Sequence, residues 1–156
     1  MSIRSDYYMN LEVSSEPFRV SLSGYGGRID NGNVPALGKR LMDRMWNEVH
    51  THQIATSGVN HWVYLPNSMI FIGVELVDRF SDAGTLEKME VSLKRYLKYL
   101  HVGPYATLPQ IWPQLLAELE QRNEKPTFPK LEIYGHWNPE PTKCETLILL
   151  ALDQGK

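Results

Sequence analysis

The sequence predicts an α+β fold built from two similar units, each with the order strand, helix, strand, strand. Short segments of alternating apolar and polar residues predict strands, and two longer segments have the apolar spacing of amphipathic helices. This order occurs twice, over about residues 18–78 and 86–153. Both predicted helices open with an apolar residue and a proline, at residues 34–35 and 108–109. Proline is favourable in the first turn of a helix.

The first half begins with a predicted strand at residues 18–23, where apolar and polar side chains alternate. The glycine-rich residues 24–32 follow, and we expect them to form a loop because they lack the spacing of a dinucleotide-binding turn. A helix is predicted over residues 34–49, since its apolar side chains fall on one face. Two strands should follow, at residues 61–65 and 69–76.

The second half repeats this order after a bridging strand. Its predicted elements are strands at residues 86–91, 96–102, 130–136 and 145–152 and a helix that opens at Leu108. Pro113 lies too deep for a first-turn proline, so the helix should begin or kink there. One unit cannot cover its own sheet face, whereas two units related by a pseudo-twofold axis can. We therefore expect an antiparallel-rich sheet with both helices on one face and a groove between them.

The composition is that of one globular domain, residues 1–156. With 42 % hydrophobic residues, the chain is long enough to bury a core. The net charge is −2 and no run of basic residues occurs, so we expect no direct nucleic-acid contact. Cys144 is the single cysteine, which excludes an internal disulfide and favours a reducing, cytoplasmic compartment. No leader-like or membrane-length apolar segment occurs, so no membrane association is expected.

Metal, cofactor and nucleophile chemistry finds little support in the sequence. The five histidines lack ligand spacing, and His50 and His52 should lie on different faces of a helix end. Ser57 and Cys144 have no recognisable neighbouring base. We therefore predict no metal site, no cofactor and no catalytic triad.

Glu132 indicates a function more directly than any other residue. It lies in a predicted buried strand, where an ionised carboxylate costs several kcal/mol unless a positively charged group pairs with it. Strand alternation puts Tyr134 on the same face, and alignment of the two halves matches Glu132 with Trp62 and Tyr134 with Tyr64. Aromatic faces attract cations, so this cluster favours flat aromatic cations. An edge position for Glu132 and a core role for the tryptophans are the alternatives.

The segments around these residues resemble a known family. They are residues 96–105, which contain the glycine-proline strand exit, residues 111–112, residues 131–134 and residues 145–149. Together they are similar to the GyrI-like small-molecule-binding domain. The same domain forms the effector-binding half of AraC-type and MerR-type multidrug-responsive regulators. The resemblance is strongest over residues 86–153 and weaker over residues 18–78.

The resemblance implies an eight-stranded sheet made of two modules, with two main helices and a central cleft. It also implies that Glu132 contacts cationic ligands while aromatic rings stack against them. The expected ligand-binding residues are Glu132, Trp62, Tyr64, Tyr134, Tyr105, Trp112 and Trp46. The expected partner is a small amphipathic organic molecule, in most cases a cation.

Regulators of this family carry a DNA-binding module ahead of the domain. Only about seventeen residues precede the first predicted strand, too few for a helix-turn-helix, so we expect a stand-alone, bacterial member. Our first interpretation is a non-enzymatic binding protein for amphipathic, cationic aromatic compounds. The second is a hydrolase of strained cyclopropane-type compounds, with Glu132 as acid or base. The third is a protein-interaction role such as gyrase inhibition, and a protein partner or a homodimer stays open.

Overall fold

The computed structural model describes residues 11–78 and 81–154. Within these residues the chain forms eight strands and two α-helices, which confirms the predicted α+β class. The strands are β1 (Glu12–Ser14), β2 (Phe18–Arg28), β3 (His61–Leu65), β4 (Met69–Val74), β5 (Glu87–Leu93), β6 (Tyr96–Val102), β7 (Pro126–Tyr134) and β8 (Glu145–Leu152). The helices are α1 (Val34–Thr51) and α2 (Leu108–Gln121). Neither helix is both long and apolar enough to cross a membrane.

All eight strands form one antiparallel sheet in the order β1-β6-β8-β7-β3-β4-β2-β5. Its two central strands, β3 and β7, come from different halves of the chain. They pair so that Trp62 lies opposite Glu132 and Tyr64 lies opposite Lys130. This register places the pseudo-twofold axis between Trp62 and Glu132, at the middle of the sheet.

Helix α1 covers the first half of the sheet. Its start is capped by the Asn33 side chain, which accepts a hydrogen bond from the Ala36 amide at 3.3 Å. Leu37, Leu41 and Met45 are buried on one helical face. They pack against side chains of β2 and β4, which form one apolar cluster with the helix.

Helix α2 covers the same face of the second half. A short 3-10 turn, Tyr105–Thr107, leads into it. Leu115 and Leu119 are fully buried against β6 and β8. Pro113 lies inside the helix, so the helix begins before this residue. Both helices therefore lie on one face, on either side of β3 and β7, as predicted.

The opposite face of the sheet holds a third apolar cluster to which neither helix contributes. Val63 and Leu131, on the two central strands, are fully buried there. The sheet curls enough to enclose them, because β5 continues into β6 through two residues although these strands lie far apart in the sheet. The rings of Phe18 and Tyr96 meet across this closure, with centroids 6.3 Å apart.

The structure changes several sequence predictions and adds one strand. Residues 24–28 do not form a loop but continue β2, pairing with β4. A Cβ atom on Gly24 would lie 1.8 Å from the Ile72 carbonyl oxygen, so the glycine permits a close strand approach rather than a turn. The strand predicted at residues 130–136 ends at Tyr134 and begins earlier, at Pro126. Strand β1 was not predicted, because three residues carry too little periodicity.

Candidate ligand-binding site around Glu132

Glu132 is buried at the centre of the sheet, on the face that carries the helices. Only 4 % of its surface is exposed. Trp62 on β3 and Ile148 on β8 lie beside it in the neighbouring strands. The sequence left the burial of Glu132 open, and the structure places it in a central strand rather than at an edge.

Three neutral groups donate hydrogen bonds to the Glu132 carboxylate. The hydroxyls of Tyr64 and Tyr134 donate to Oε1, at 2.9 and 2.6 Å. The indole Nε1 of Trp112, which reaches down from α2, donates to Oε2 at 2.5 Å. Glu132 accepts every one of these bonds, which is the pattern of an ionised carboxylate.

Burial raises the pKa of the Tyr64 and Tyr134 hydroxyls well above the ordinary value of 10.0. The charge of Glu132 and the hydrogen bonds to it raise the pKa of both groups further. Both tyrosines therefore keep their protons at neutral pH and act as donors that hold the carboxylate in place.

The negative charge of Glu132 has no cationic partner among the described residues. Its three contacts are all neutral donors. Glu118, a second buried glutamate, instead pairs with Arg122 at 3.2 Å. A buried charge stabilised only by neutral hydrogen bonds still attracts an opposite charge strongly, because the surroundings screen it poorly.

Aromatic rings enclose the carboxylate in two similar edge-to-face pairs. Trp62 and Tyr134 lie with centroids 5.7 Å apart and their planes at 74°. Tyr64 and Trp112 lie 6.4 Å apart at 76°. Tyr105, from the turn before α2, packs edge-to-face on Tyr134 at 5.2 Å. All five aromatic residues are partly exposed.

Trp46 lies apart from these contacts. Its Nε1 donates to Oδ1 of Asn60 at 2.8 Å, and its ring lies 6.0 Å from that of His50. Asn60 is the residue just before β3, and its carbonyl accepts from the Tyr134 amide. Six of the seven predicted site residues are thus joined by direct contacts or strand pairing. Trp46 is linked to them by its hydrogen bond to Asn60 and by packing against the same apolar cluster as Trp62 and Tyr64.

Sequence reasoning missed Gly38 and Asn60. A Cβ atom on Gly38 would lie 2.1 Å from Cη2 of Trp62, so the indole rests directly on the backbone of α1. The Trp62 Nε1 is buried and has no hydrogen-bond partner among the described residues. The available signal for this contact was a glycine inside a predicted helix. Glycine weakens a helix, so its presence there often means that another group packs closely against the helix.

A smaller polar cluster lies at the exit of β6. His101 is buried, and its Nε2 lies 2.9 Å from the Thr107 hydroxyl, which donates to the Pro104 carbonyl. These contacts join the end of β6 to the turn before α2. Among residues 11–78 and 81–154, no group of His, Cys, Asp or Glu side chains is arranged to hold a metal ion.

Comparison with known proteins gives matches at the level of structure alone. No family model matches the sequence, and no curated protein matches it. The structure of SAV2435 bound to tetraphenylphosphonium matches with a TM-score of 0.65 and 14% identity, over 94% of each chain. The C-terminal domain of EcmrR matches with a TM-score of 0.69 and 15% identity, over 94% of this chain and 100% of that one.

A hydrolase from Listeria innocua has a similar structure as well, with a TM-score of 0.56 and 10% identity, over 97% of this chain and 98% of that one. At identities this low, the matches show a shared fold alone. Each match extends over nearly the whole chain. The chain therefore has the fold of the GyrI-like small-molecule-binding domain.

Proposed function

We propose that this protein binds amphipathic aromatic cations at Glu132. The observation that carries the proposal is a buried carboxylate bonded to three neutral donors and to no cation within the described residues. A ligand cation would supply the missing opposite charge. The surrounding rings would add cation–π attraction, worth about 0.5–2 kcal/mol per ring.

The donor arrangement supports binding of a cation rather than of an anion or a neutral molecule. Tyr64, Tyr134 and Trp112 fix both carboxylate oxygens before a ligand arrives. A preorganised charge costs less to use than one that must first be ordered. The similar fold of a protein whose structure holds tetraphenylphosphonium, an organic cation, supports the same ligand class.

The test is a tryptophan-fluorescence titration with three aromatic compounds of similar shape and different charge. N-methylquinolinium is the cation, methylnaphthalene the neutral analogue and naphthoate the anion. We expect saturable binding of the cation at micromolar concentration, about −8 kcal/mol. Glu132→Gln should weaken the binding of the cation by about tenfold or more and the binding of the neutral compound by less than about threefold.

Glu118→Gln is the matched control, because Glu118 is also buried but already paired with Arg122. It should leave the affinity for N-methylquinolinium unchanged. Equal weakening of the cation and the neutral compound by Glu132→Gln would contradict the proposal, as would tighter binding of naphthoate than of the cation.

Hydrolysis of a strained electrophile is the second candidate. It is favoured by one observation, the contact of the Glu132 carboxylate with two protonated phenols at 2.6 and 2.9 Å. Such a group can accept and return a proton. The fold of a Listeria innocua hydrolase supports it at the same distant level. Consumption of a bound cyclopropane compound, followed by mass spectrometry, would favour this activity, whereas full recovery would favour binding alone.

A further inference from the structure

The ligand-binding face is asymmetric although the sheet beneath it is nearly symmetric. The register of β3 and β7 makes Trp62 the symmetry mate of Glu132. Gly38 in α1 and Trp112 in α2 are at equivalent positions, because each lies three residues after the proline in the first turn of its helix. In the first half, the large side chain at these positions therefore comes from the strand, as Trp62, and the helix has only a glycine. In the second half, the indole comes from the helix, as Trp112, and the strand carries Glu132.

We propose that Trp62 is a size-determining residue, an indole seated on Gly38 that fills the α1 half of the cleft and confines the ligand to the α2 half. This inference rests on the proposed binding function and narrows its ligand class. The class is compact cations with one charged centre and one fused ring system.

The Trp62 indole is wedged rather than hydrogen-bonded. Its Cη2 and Cζ3 atoms lie 2.1 and 2.3 Å from where a Cβ atom on Gly38 would stand. Its Nε1 is buried and has no partner within residues 11–78 and 81–154. A smaller apolar side chain would avoid that unpaired donor, so shape rather than hydrogen bonding explains the tryptophan at this position.

The other half is arranged for contact with a ligand. There, the indole comes from the helix, and its Nε1 is used to hold the carboxylate. Trp62 thus occupies the space that would make a second, equivalent subsite, whereas the Trp112 indole is held against the carboxylate by its own hydrogen bond. Rejecting large ligands by filling space is an established route to specificity.

The experiment compares two cations by isothermal titration calorimetry. N-methylquinolinium is compact and flat, and tetraphenylphosphonium is bulky. Trp62→Ala should raise the affinity for tetraphenylphosphonium relative to N-methylquinolinium by about tenfold or more. Trp62→Phe, which keeps a ring and is the milder change, should shift the ratio in the same direction by about threefold.

Trp137→Ala is the matched control, since it removes the same side chain at an exposed position outside the Glu132 contacts. Its ratio should stay within about twofold of the wild-type value. Unchanged ratios in Trp62→Ala and Trp62→Phe, with both cations still bound, would overturn the role of Trp62 and leave cation binding intact. If the wild-type protein bound neither of the two cations, both proposals would be overturned.

Discussion

Single residues set the chemistry of this cleft. Glu132 is held by groups that come from three different elements, β3, β7 and α2. Each donor is itself constrained, since Tyr64 and Tyr134 lie in strands and the Trp112 indole packs against Tyr64. The carboxylate is therefore fixed in position, and the three described side chains that bond it carry no positive charge.

The tyrosine donors predict a loss of stability at alkaline pH. The pKa of Tyr64 and Tyr134 is raised in the folded state above the value of 10.0 that applies to the unfolded chain. The unfolded state therefore releases protons first, so this stability is complete below about pH 10 and declines as the pH rises further. Each tyrosine should contribute a slope of about 1.4 kcal/mol per pH unit there.

Urea unfolding of the wild type and Tyr64→Phe, from about pH 9 to pH 11, measures this slope. The variant should be less stable at every pH, because Glu132 loses a donor, and its decline above pH 10 should be shallower. Parallel curves would mean that Tyr64 ionises as readily in the folded protein as in the unfolded one.

A buried histidine predicts the opposite trend at acidic pH. Burial lowers the pKa of His61 below its usual 6.5, against a smaller raising effect of the Val59 carbonyl. The unfolded chain takes up the proton first, so this stability is complete above about pH 6.5 and is lost as the pH falls. His61→Gln should flatten the stability curve between about pH 5 and 6.5, measured by urea unfolding. An unchanged curve would contradict the prediction.

At the scale of the elements, glycines decide how closely the strands and helices approach. Gly24 lets β2 lie against β4, and Gly38 lets α1 lie on Trp62. These positions have different consequences. The first governs the sheet, and the second governs the space next to the carboxylate.

Gly24→Ala should therefore destabilise the protein by about 3 kcal/mol or more, because the added methyl would overlap the Ile72 carbonyl and separate β2 from β4. Gly26→Ala in the same strand is the control. Its Cβ would meet ordinary contacts at 3.5 Å, so the change should stay within about 1 kcal/mol. Chemical denaturation measures both. Equal effects of the two substitutions would show that the approach at Gly24 is not restrictive.

At the scale of the whole molecule, the two halves share one core on the face opposite the helices. Val63 from the first half and Leu131 from the second lie side by side there, fully buried. The curl of the sheet, closed by Phe18 and Tyr96, joins the outer strands to the same cluster. The halves should therefore unfold together rather than as separate modules.

Leu131→Ala tests this coupling. The substitution should cost about 2–5 kcal/mol, as for a fully buried leucine. Native-state hydrogen exchange should show equal loss of protection in β4, from the first half, and in β8, from the second. Loss confined to β8 would indicate that the halves open independently.

Local sequence patterns were sufficient to predict much of the fold. Strand alternation and helical spacing depend on neighbouring residues, so β3 and β8 were predicted with their observed bounds and both helices from their first residue. The same alternation placed Glu132 and Tyr134 on one buried face. Matching the two halves made Trp62 the counterpart of Glu132, and the structure pairs these two residues on neighbouring strands.

Contacts between distant elements could not be obtained in that way. The glycines of residues 24–27 signalled a loop because no local pattern reveals that β4 packs closely beside them. Likewise, periodicity assigns Trp46 and Trp62 to faces but cannot say that one reaches Asn60 and the other rests on Gly38. Which side chain fills a given space depends on surfaces brought together only by folding, and here that choice made Trp112, rather than Trp46, the indole that holds the carboxylate.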